Sequence, residues 1–403
     1  MLLISLFCLI ISTSGCLQAE TEAPNQAVQP NPNIWVSAYL ATWQHDAGTP
    51  YSNWGAVTTE DIDWDAFTHL FYFALNIGPD GRPSHSFDPT LRRNLNTDRL
   101  KDIVPAAHRH QKKILLSVGG SGNYEGFKSS IQPQNRDQFI ATLTEMITTY
   151  GFDGIDLDME PIRSSDYNNF KTLVKELHNH FSKIKTRQNN QPMITIAALK
   201  GPSISRVYAE VQEYVDQINI MTYDMAQAWS GWQAWHNSAL FNDRITFDRT
   251  GELMPSVQDK LNIAIQAGIA RQKLGIGIDF YGYIWHGVHR LEKWPDWPRQ
   301  NLSIMERSGG VPYSELYERY SLNRAAWDPI AETSFLNIDQ PKAFISFDNE
   351  RSVRRKIQFA VEEGIGGVIL WEIGGGYLPA KVSGTRAPLL QAIQQELNQL
   401  PQP

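Results

Sequence analysis

The chain has 403 residues, 42% of them hydrophobic and 20% charged, which is close to the composition of a soluble globular protein. Its formal net charge of −7, with only short basic clusters, argues against a nucleic-acid partner. Its only two cysteines, Cys8 and Cys16, lie near the N-terminus, so no internal disulfide supports the fold.

Residues 1–16, MLLISLFCLIISTSGC, carry an apolar run. It falls short of the roughly 20 apolar residues that a membrane span needs. It reads as the hydrophobic part of a secretory signal peptide. Thr13-Ser14-Gly15-Cys16 resembles a bacterial lipoprotein cleavage site, which implies lipidation of Cys16 and membrane attachment through it. Ordinary cleavage nearby, with Cys16 lost, is the alternative. The expected location is outside the cytoplasm, either secreted or lipid-anchored in a bacterial cell envelope. Residues 17–33 are polar and rich in Pro, Gln and Asn, a flexible tether ahead of a catalytic unit spanning 34–398.

From residue 34 onward, β-rich apolar runs alternate with helical patterns. Strands are predicted at Ile34–Leu40, His69–Leu75, Lys113–Val118, Asp153–Met159, Met193–Ala198, Gln217–Tyr223, Leu274–Phe280 and Gly366–Trp371. Amphipathic helices are predicted at about 134–150, 166–185, 257–269 and 350–364. Such alternation indicates βαβ units and a parallel sheet. Eight units point to a (β/α)8 TIM barrel of the α/β class. An open doubly wound sheet would want a Gly-rich phosphate loop after its first strand, and Leu40–His45 has none. The long stretch between the seventh and eighth strands carries Trp285, Trp294, Trp297, Tyr313, Tyr317 and Trp327. Connections of that length usually have structure of their own, so a small insertion on the barrel mouth is expected at about 285–340.

The most specific pattern is YGFDGIDLDMEP at 150–161. Strand alternation puts Asp156, Asp158 and Glu160 on one face and Ile155, Leu157 and Met159 on the other. In a barrel the apolar set meets the outer helices and the acids point inward. Asp156 to Glu160 spans about 13 Å, so Glu160 lies at the C-terminal strand end, where barrel enzymes do chemistry. Pro161 ends the strand there. Three inward acids repel one another and resist ionisation in low dielectric. At least one pKa should therefore rise, which is what a general acid needs. A solvated surface strand is disfavoured by the alternating Ile, Leu and Met. An oxygen-ligand site for Mg²⁺ or Ca²⁺ is disfavoured because no further acid or His cluster stands at a neighbouring strand end.

DGIDLDME matches the DxxDxDxE signature of glycoside hydrolase family 18. Ser117-Val118-Gly119-Gly120 resembles that family's SxGG motif, and Met221-Thr222-Tyr223-Asp224 resembles its MxYD motif. Gly367–Trp371 is similar to its eighth strand, whose Trp floors a sugar subsite. Tyr39 with Trp43, and Phe71–Ala74 including Phe73, resemble its first two strands. The resemblance runs from residue 34 to 371. It implies a chitinase that hydrolyses β-1,4-linked N-acetylglucosamine polymers or oligomers with retention, assisted by the substrate and without cofactor or metal. Glu160 would be the general acid. Asp158 would hold the acetamido N–H, Asp156 would share its proton, and Tyr223 would bond the acetamido carbonyl. Met221 and Asp224 would shape the same subsite, with Tyr39, Phe73, Tyr281 and Trp371 lining the sugar path and Ser117 supporting the acids from below. Asp153, out of phase with the other acids, reads as structural, together with Gly119 and Gly120.

Two positions depart from the family pattern. Ser121 stands where many members carry an aromatic, and Tyr283 where many carry Arg after the Tyr281-Gly282 pair. Trp229, Trp232 and Trp235 form either a sugar platform or the core of their own loop. Tyr281 reads as a subsite wall because it ends a strand. The cluster Arg351, Arg354, Arg355 and Lys356 reads as a solvated helix face. His178 and His180 read as solvated on a helix. Chitin or chito-oligosaccharides are the expected partners and a monomer the expected state. The competing readings are a non-catalytic lectin of the same fold, an endo-β-N-acetylglucosaminidase acting on N-glycans or peptidoglycan, and a metal-dependent barrel hydrolase.

Overall fold

The computed structural model describes residues 29–43, 45, 57–84, 97–226, 232–293, 310–382 and 384–400. The apolar leader with Cys16, most of the tether, and Trp229, Trp294 and Trp297 lie outside these residues. Seven strands come first: β1 (Trp35–Ala41), β2 (His69–Leu75), β3 (Lys113–Gly119), β4 (Gly154–Asp158), β5 (Met193–Ala198), β6 (Gln217–Ile220) and β7 (Leu274–Asp279). The chain then builds β8 (Tyr281–His286), β9 (Val311–Pro312), β10 (Ala326–Asp328), β11 (Thr333–Asp339) and β12 (Lys342–Phe347) before β13 (Gly367–Trp371). The parallel strands close into a barrel in the order β1-β13-β7-β6-β5-β4-β3-β2, a (β/α)8 barrel with β13 as its eighth strand.

Helices α1 (Thr97–Arg109), α2 (Tyr124–Ser130), α3 (Arg136–Glu145), α4 (Tyr167–Phe181), α5 (Pro202–Val211), α6 (Val257–Gln266), α7 (Tyr313–Arg319), α8 (Glu350–Glu362) and α9 (Pro388–Leu397) accompany the strands. In α4 the buried residues are Phe170, Leu173, Val174, Leu177 and Phe181, spaced three and four apart on one stripe. They join the same apolar core as the outward Ile155 and Leu157 of β4. Burying each such side chain stabilises by about 1.5–3 kcal/mol. Leu173→Ala should cost about 2–5 kcal/mol because the packed layer collapses only in part.

Inside the barrel the deep layer is polar. The Ser37 hydroxyl donates to Gln217 Oε1 at 2.9 Å, and Trp35 Nε1 donates to Asn219 Oδ1 at 3.2 Å. The mouth layer, described below, is acidic and aromatic. At the opposite, closed end, Asn31 N donates to the Val361 carbonyl at 3.0 Å and Asn31 Nδ2 to the Ile365 carbonyl at 2.9 Å.

The excursion between β7 and β13 is a five-stranded sheet in the order β10-β11-β12-β8-β9. It runs from Tyr281 to Phe347, wider than the 285–340 read from sequence, because only Phe280 separates β8 from β7. β12 pairs antiparallel with β8, placing Ser346 opposite Tyr283 and Phe347 opposite Gly282. The predicted sixth strand ends early, at Ile220, because the following residues turn away from the ladder.

Candidate active site

Chemistry in this molecule centres on β4. Alternation turns Asp156 and Asp158 into the barrel while Ile155 and Leu157 pack outward. Asp156 is sealed from solvent. Its Oδ2 accepts the Tyr39 hydroxyl at 2.8 Å and the Ser117 hydroxyl at 2.9 Å, and its Oδ1 accepts the Thr195 hydroxyl at 2.7 Å. Register sets this up, because Ser117 on β3 and Thr195 on β5 both lie opposite Asp156. Burial raises the Asp156 carboxyl above the ordinary carboxylate range, and the three hydroxyls pull it part of the way back.

Asp158, nearer the mouth, is buried, and its backbone carbonyl accepts the Gly120 N–H at 2.6 Å. A Cβ on Gly119 would lie 2.3 Å from that carbonyl oxygen, and Gly119 has φ +104°. Only glycine suits this crossing of β3 and β4. Glu160 stands two residues past the strand, half-buried at the mouth, and its Oε1 accepts the Ser121 N–H at 2.9 Å. Asp153 lies apart, at the strand's entrance. Its Oδ2 accepts the Ile114 N–H at 2.9 Å and faces His108 Nε2 at 2.9 Å, tying β3 and α1 to the start of β4.

Aromatic rings line the mouth. Trp371, at the end of β13, meets Phe73 edge-on with centroids 4.7 Å apart, and its ring lies 5.3 Å from that of Tyr39. These contacts hold the half-buried indole upright without covering it. Trp43 also meets Phe73 edge-on, with ring centroids 5.8 Å apart. Met221 and Tyr223 belong to the same cluster.

The chain leaving β6 turns sharply at Tyr223-Asp224, where Asp224 has φ +52°. The Tyr223 ring fits over Gly277, where a Cβ would lie 2.6 Å from its Cε1 atom. Burial, then Asp158 and Glu160, push the Tyr223 phenol well above its ordinary pKa, so it remains a hydroxyl donor. Tyr39 is raised in the same sense by burial and then Asp156. Asp224 is exposed, yet its Oδ1 accepts the Tyr281 hydroxyl at 2.5 Å and the Tyr283 hydroxyl at 2.8 Å, both from β8 of the inserted sheet.

One charged group at the mouth escapes sequence reading. Lys200, just past β5, donates its ammonium to the Tyr223 carbonyl at 2.6 Å. Burial pulls its pKa down to about 8 against the opposing pull of Asp224 and then Glu160. A lysine after a strand looks solvated, and no local pattern marks it otherwise.

The structure bears on four further readings. Trp235 is fully buried and donates its Nε1 to the Pro255 carbonyl at 3.0 Å, so it is loop core rather than a sugar platform. Trp232 packs edge-on against Phe247 at 4.7 Å. Lys356 is buried, unlike the neighbouring Arg351, Arg354 and Arg355, because it lies on the α8 face of Val353, Ile357 and Ala360. His178 is part-buried, with its Nδ1 3.2 Å from the Tyr214 carbonyl. Tyr281 packs in the core, buried, with its hydroxyl turned to Asp224. Among the described residues no group of three or more His, Cys, Asp or Glu side chains is placed to hold a metal ion.

Residues 38–376 match the sequence model of a family described as Glycosyl hydrolases family 18. The chain is similar to a class V chitinase of Lotus japonicus, 24% identical over an alignment of 344 residues that covers 80% of this chain and 80% of that one. It is 26% identical over 321 residues to Chitinase A1 of Niallia circulans, which spans 72% of this chain but 44% of that longer protein. Among solved structures, the Group IV chitinase of Ostrinia furnacalis in complex with allosamidin aligns with a TM-score of 0.75 at 26% identity, over 91% of this chain and 99% of that one. With most of its length matched in this way, and with the acidic strand set in an eight-stranded parallel barrel, the chain belongs to glycosyl hydrolases family 18.

Proposed function

We propose that the protein is a chitinase that cleaves β-1,4-linked N-acetylglucosamine chains with the help of the substrate's own acetamido group. The observation that carries this reading is the acidic ladder of β4. It rises from the sealed, three-hydroxyl-bonded Asp156 through buried Asp158 to half-buried Glu160, beside the uncovered indole of Trp371. In the first step the Glu160 carboxyl gives its proton to the glycosidic oxygen. The acetamido carbonyl oxygen attacks the anomeric carbon from the other side, and the bond to the leaving sugar breaks. Asp158 accepts the acetamido N–H and balances the positive charge of the cyclic oxazolinium intermediate. The Tyr223 hydroxyl, kept protonated by its surroundings, donates to the acetamido oxygen. Water then adds to the anomeric carbon as its bond to the acetamido oxygen breaks and the acetamido group is restored, while the Glu160 carboxylate takes the water's proton, so the configuration is retained. Asp156, Ser117 and Tyr39 form the buried hydrogen-bonded base on which Asp158 rests, and Trp371 stacks beneath the reacting ring.

Product analysis on chitohexaose, insoluble chitin and a glycoprotein tests the reading. Release of shorter chito-oligosaccharides with initial β-configuration is expected. A protein that binds chitohexaose without cleaving it is a lectin of this fold, and cleavage confined to the glycoprotein makes it an endo-β-N-acetylglucosaminidase. The leader supports export, and the Thr13–Cys16 sequence supports lipid anchoring through Cys16 in a bacterial envelope. Metabolic labelling with palmitate, lost in Cys16→Ser, is the expected outcome.

A further inference from the structure

Asn237 lies behind the mouth, 1% exposed, and every polar atom it has is used. Its Oδ1 accepts the Asp224 N–H at 2.8 Å, and its Nδ2 donates to Asp279 Oδ2 at 2.8 Å. Its backbone N–H donates to the Ser346 hydroxyl on β12 at 2.7 Å, and its carbonyl accepts the Met225 N–H at 3.1 Å. The next residue does the matching work on the other side of Tyr223, because the Ser238 hydroxyl donates to the Thr222 carbonyl at 2.6 Å. Thus the peptides flanking Tyr223 are both gripped from one dipeptide. That dipeptide is anchored in turn. Lys356 donates to Ser238 Oγ at 2.7 Å, bonds Asp348, and lies 3.6 Å from Asp279 Oδ1.

The grip matters because Asp224 sits at φ +52°, a left-handed conformation that aspartate tolerates better than most residues but that still needs its surroundings to favour it. We propose that Asn237 is a positioning residue that fixes the Tyr223-Asp224 turn, and with it the Tyr223 hydroxyl, by fastening that turn to β7 and to the inserted sheet. The inference rests on the acetamido role given to Tyr223 above. Its amide suits the place at every pH, since it accepts from a backbone N–H and donates to a carboxyl at once. The charged and titratable groups facing residue 237 are Asp279 from β7, Asp348 after β12, Lys356 from α8, and Tyr223 and Asp224 after β6. Burial, then Asp348, push the Asp279 carboxyl well above its ordinary value.

Replacing the amide by an acid supplies the test. Protonated, the new carboxyl of Asn237→Asp accepts from Asp224 and donates to Asp279 as the amide does. Ionised, it has no proton to donate, and it faces Asp279 with a buried charge. Burial holds it protonated well past the ordinary carboxylate range. On an aryl chitobioside, kcat of Asn237→Asp should be within about threefold of wild type on the acid side of the profile and at least about tenfold lower on the alkaline side. Asn237→Ala should be at least about tenfold low in kcat at every pH, with KM moved less than about threefold. Wild-type kcat in Asn237→Ala, or the same deficit at all pH values in both variants, overturns the proposal. Melting curves at each pH report whether the variants are folded. Should Asn237→Asp not fold, Ser346→Ala takes its place, since it loosens the same loop from β12. A lowered kcat with an unchanged melting temperature supports the proposal, and an unchanged kcat overturns it. Calorimetric affinity for chitotetraose gives a second readout in which the same pH reversal is expected. A wild type that binds the sugar and releases no chromophore overturns the catalytic reading, while the affinities still decide the role of Asn237.

Discussion

The backbone N–H of Ser121 donates to Oε1 of Glu160 across 2.9 Å. The loop after β3 thereby aims the carboxyl at the end of β4, and it does so with main chain, so the departure from an aromatic at position 121 leaves the acid's orientation intact.

Glu160→Gln keeps a carbonyl oxygen for that N–H and removes only the proton. Turnover of an aryl chitobioside should fall by at least about a hundredfold, in line with general-acid contributions, while calorimetric affinity for chito-oligosaccharide stays near wild type. Activity within about threefold of wild type would remove Glu160 from the role of acid.

Lys200 places a cation near Glu160 and Asp224, and a nearby cation favours the ionised form of a carboxyl. Lys200→Met should therefore let Glu160 keep its proton to higher pH. The alkaline limb of kcat/KM is expected to move upward, and the shift between variant and wild type should shrink as salt is added. An unmoved limb would show that the ammonium serves only to hold the Tyr223 carbonyl.

Asp156 carries a raised carboxyl in the folded state, chiefly through burial. The folded protein therefore binds a proton that the unfolded chain has released. This contribution to stability is fully present below the ordinary carboxylate pKa and is lost as pH rises through the raised value. Asp156→Asn removes the titration and can keep bonds to the surrounding hydroxyls. The melting temperature of the variant, relative to wild type, should rise as pH goes from the carboxylate range upward. A difference constant with pH would contradict the raised value.

Gly277 lies beneath the ring of Tyr223, and a methyl group there would sit 2.6 Å from Cε1. Gly277→Ala must displace either the ring or the neighbouring backbone, an overpacking cost of about 1–3 kcal/mol. The expected result is a folded protein with kcat lowered at least about tenfold, since a small misplacement of a group that acts in the transition state is costly. Wild-type kinetics would mean that the ring can move without consequence.

Much of this architecture was legible in the sequence because two periods were clean. The alternation of Asp156, Asp158 and Glu160 with Ile155, Leu157 and Met159 marks the inward face of β4, and Ser117 is expected beneath the acids, whereas Tyr39, expected along the sugar path, turns its hydroxyl to Asp156. The misses have physical causes. Thr195 looks like any strand threonine until register sets it opposite Asp156. Lys356 stands three residues after Val353 and four before Ala360, on the apolar stripe of α8, so its burial could have been read from spacing alone. The adjacent arginines, one step round the helix, masked that signal. Asn237 follows the Trp-rich loop with no periodic pattern around it, and only the tertiary fold brings it behind Asp224. Residues 221–223, which lead into the turn at Asp224, read as strand because aspartate tolerates a left-handed conformation without advertising it.

The two bonds from Asn31 to the closed end of the barrel fix where the polypeptide enters. Residues 29–31 therefore sit at the pole opposite the mouth where Glu160 and Trp371 stand. That described N-terminal segment stays clear of the cleft, so the approach to Trp371 and Glu160 is left open to a long sugar chain.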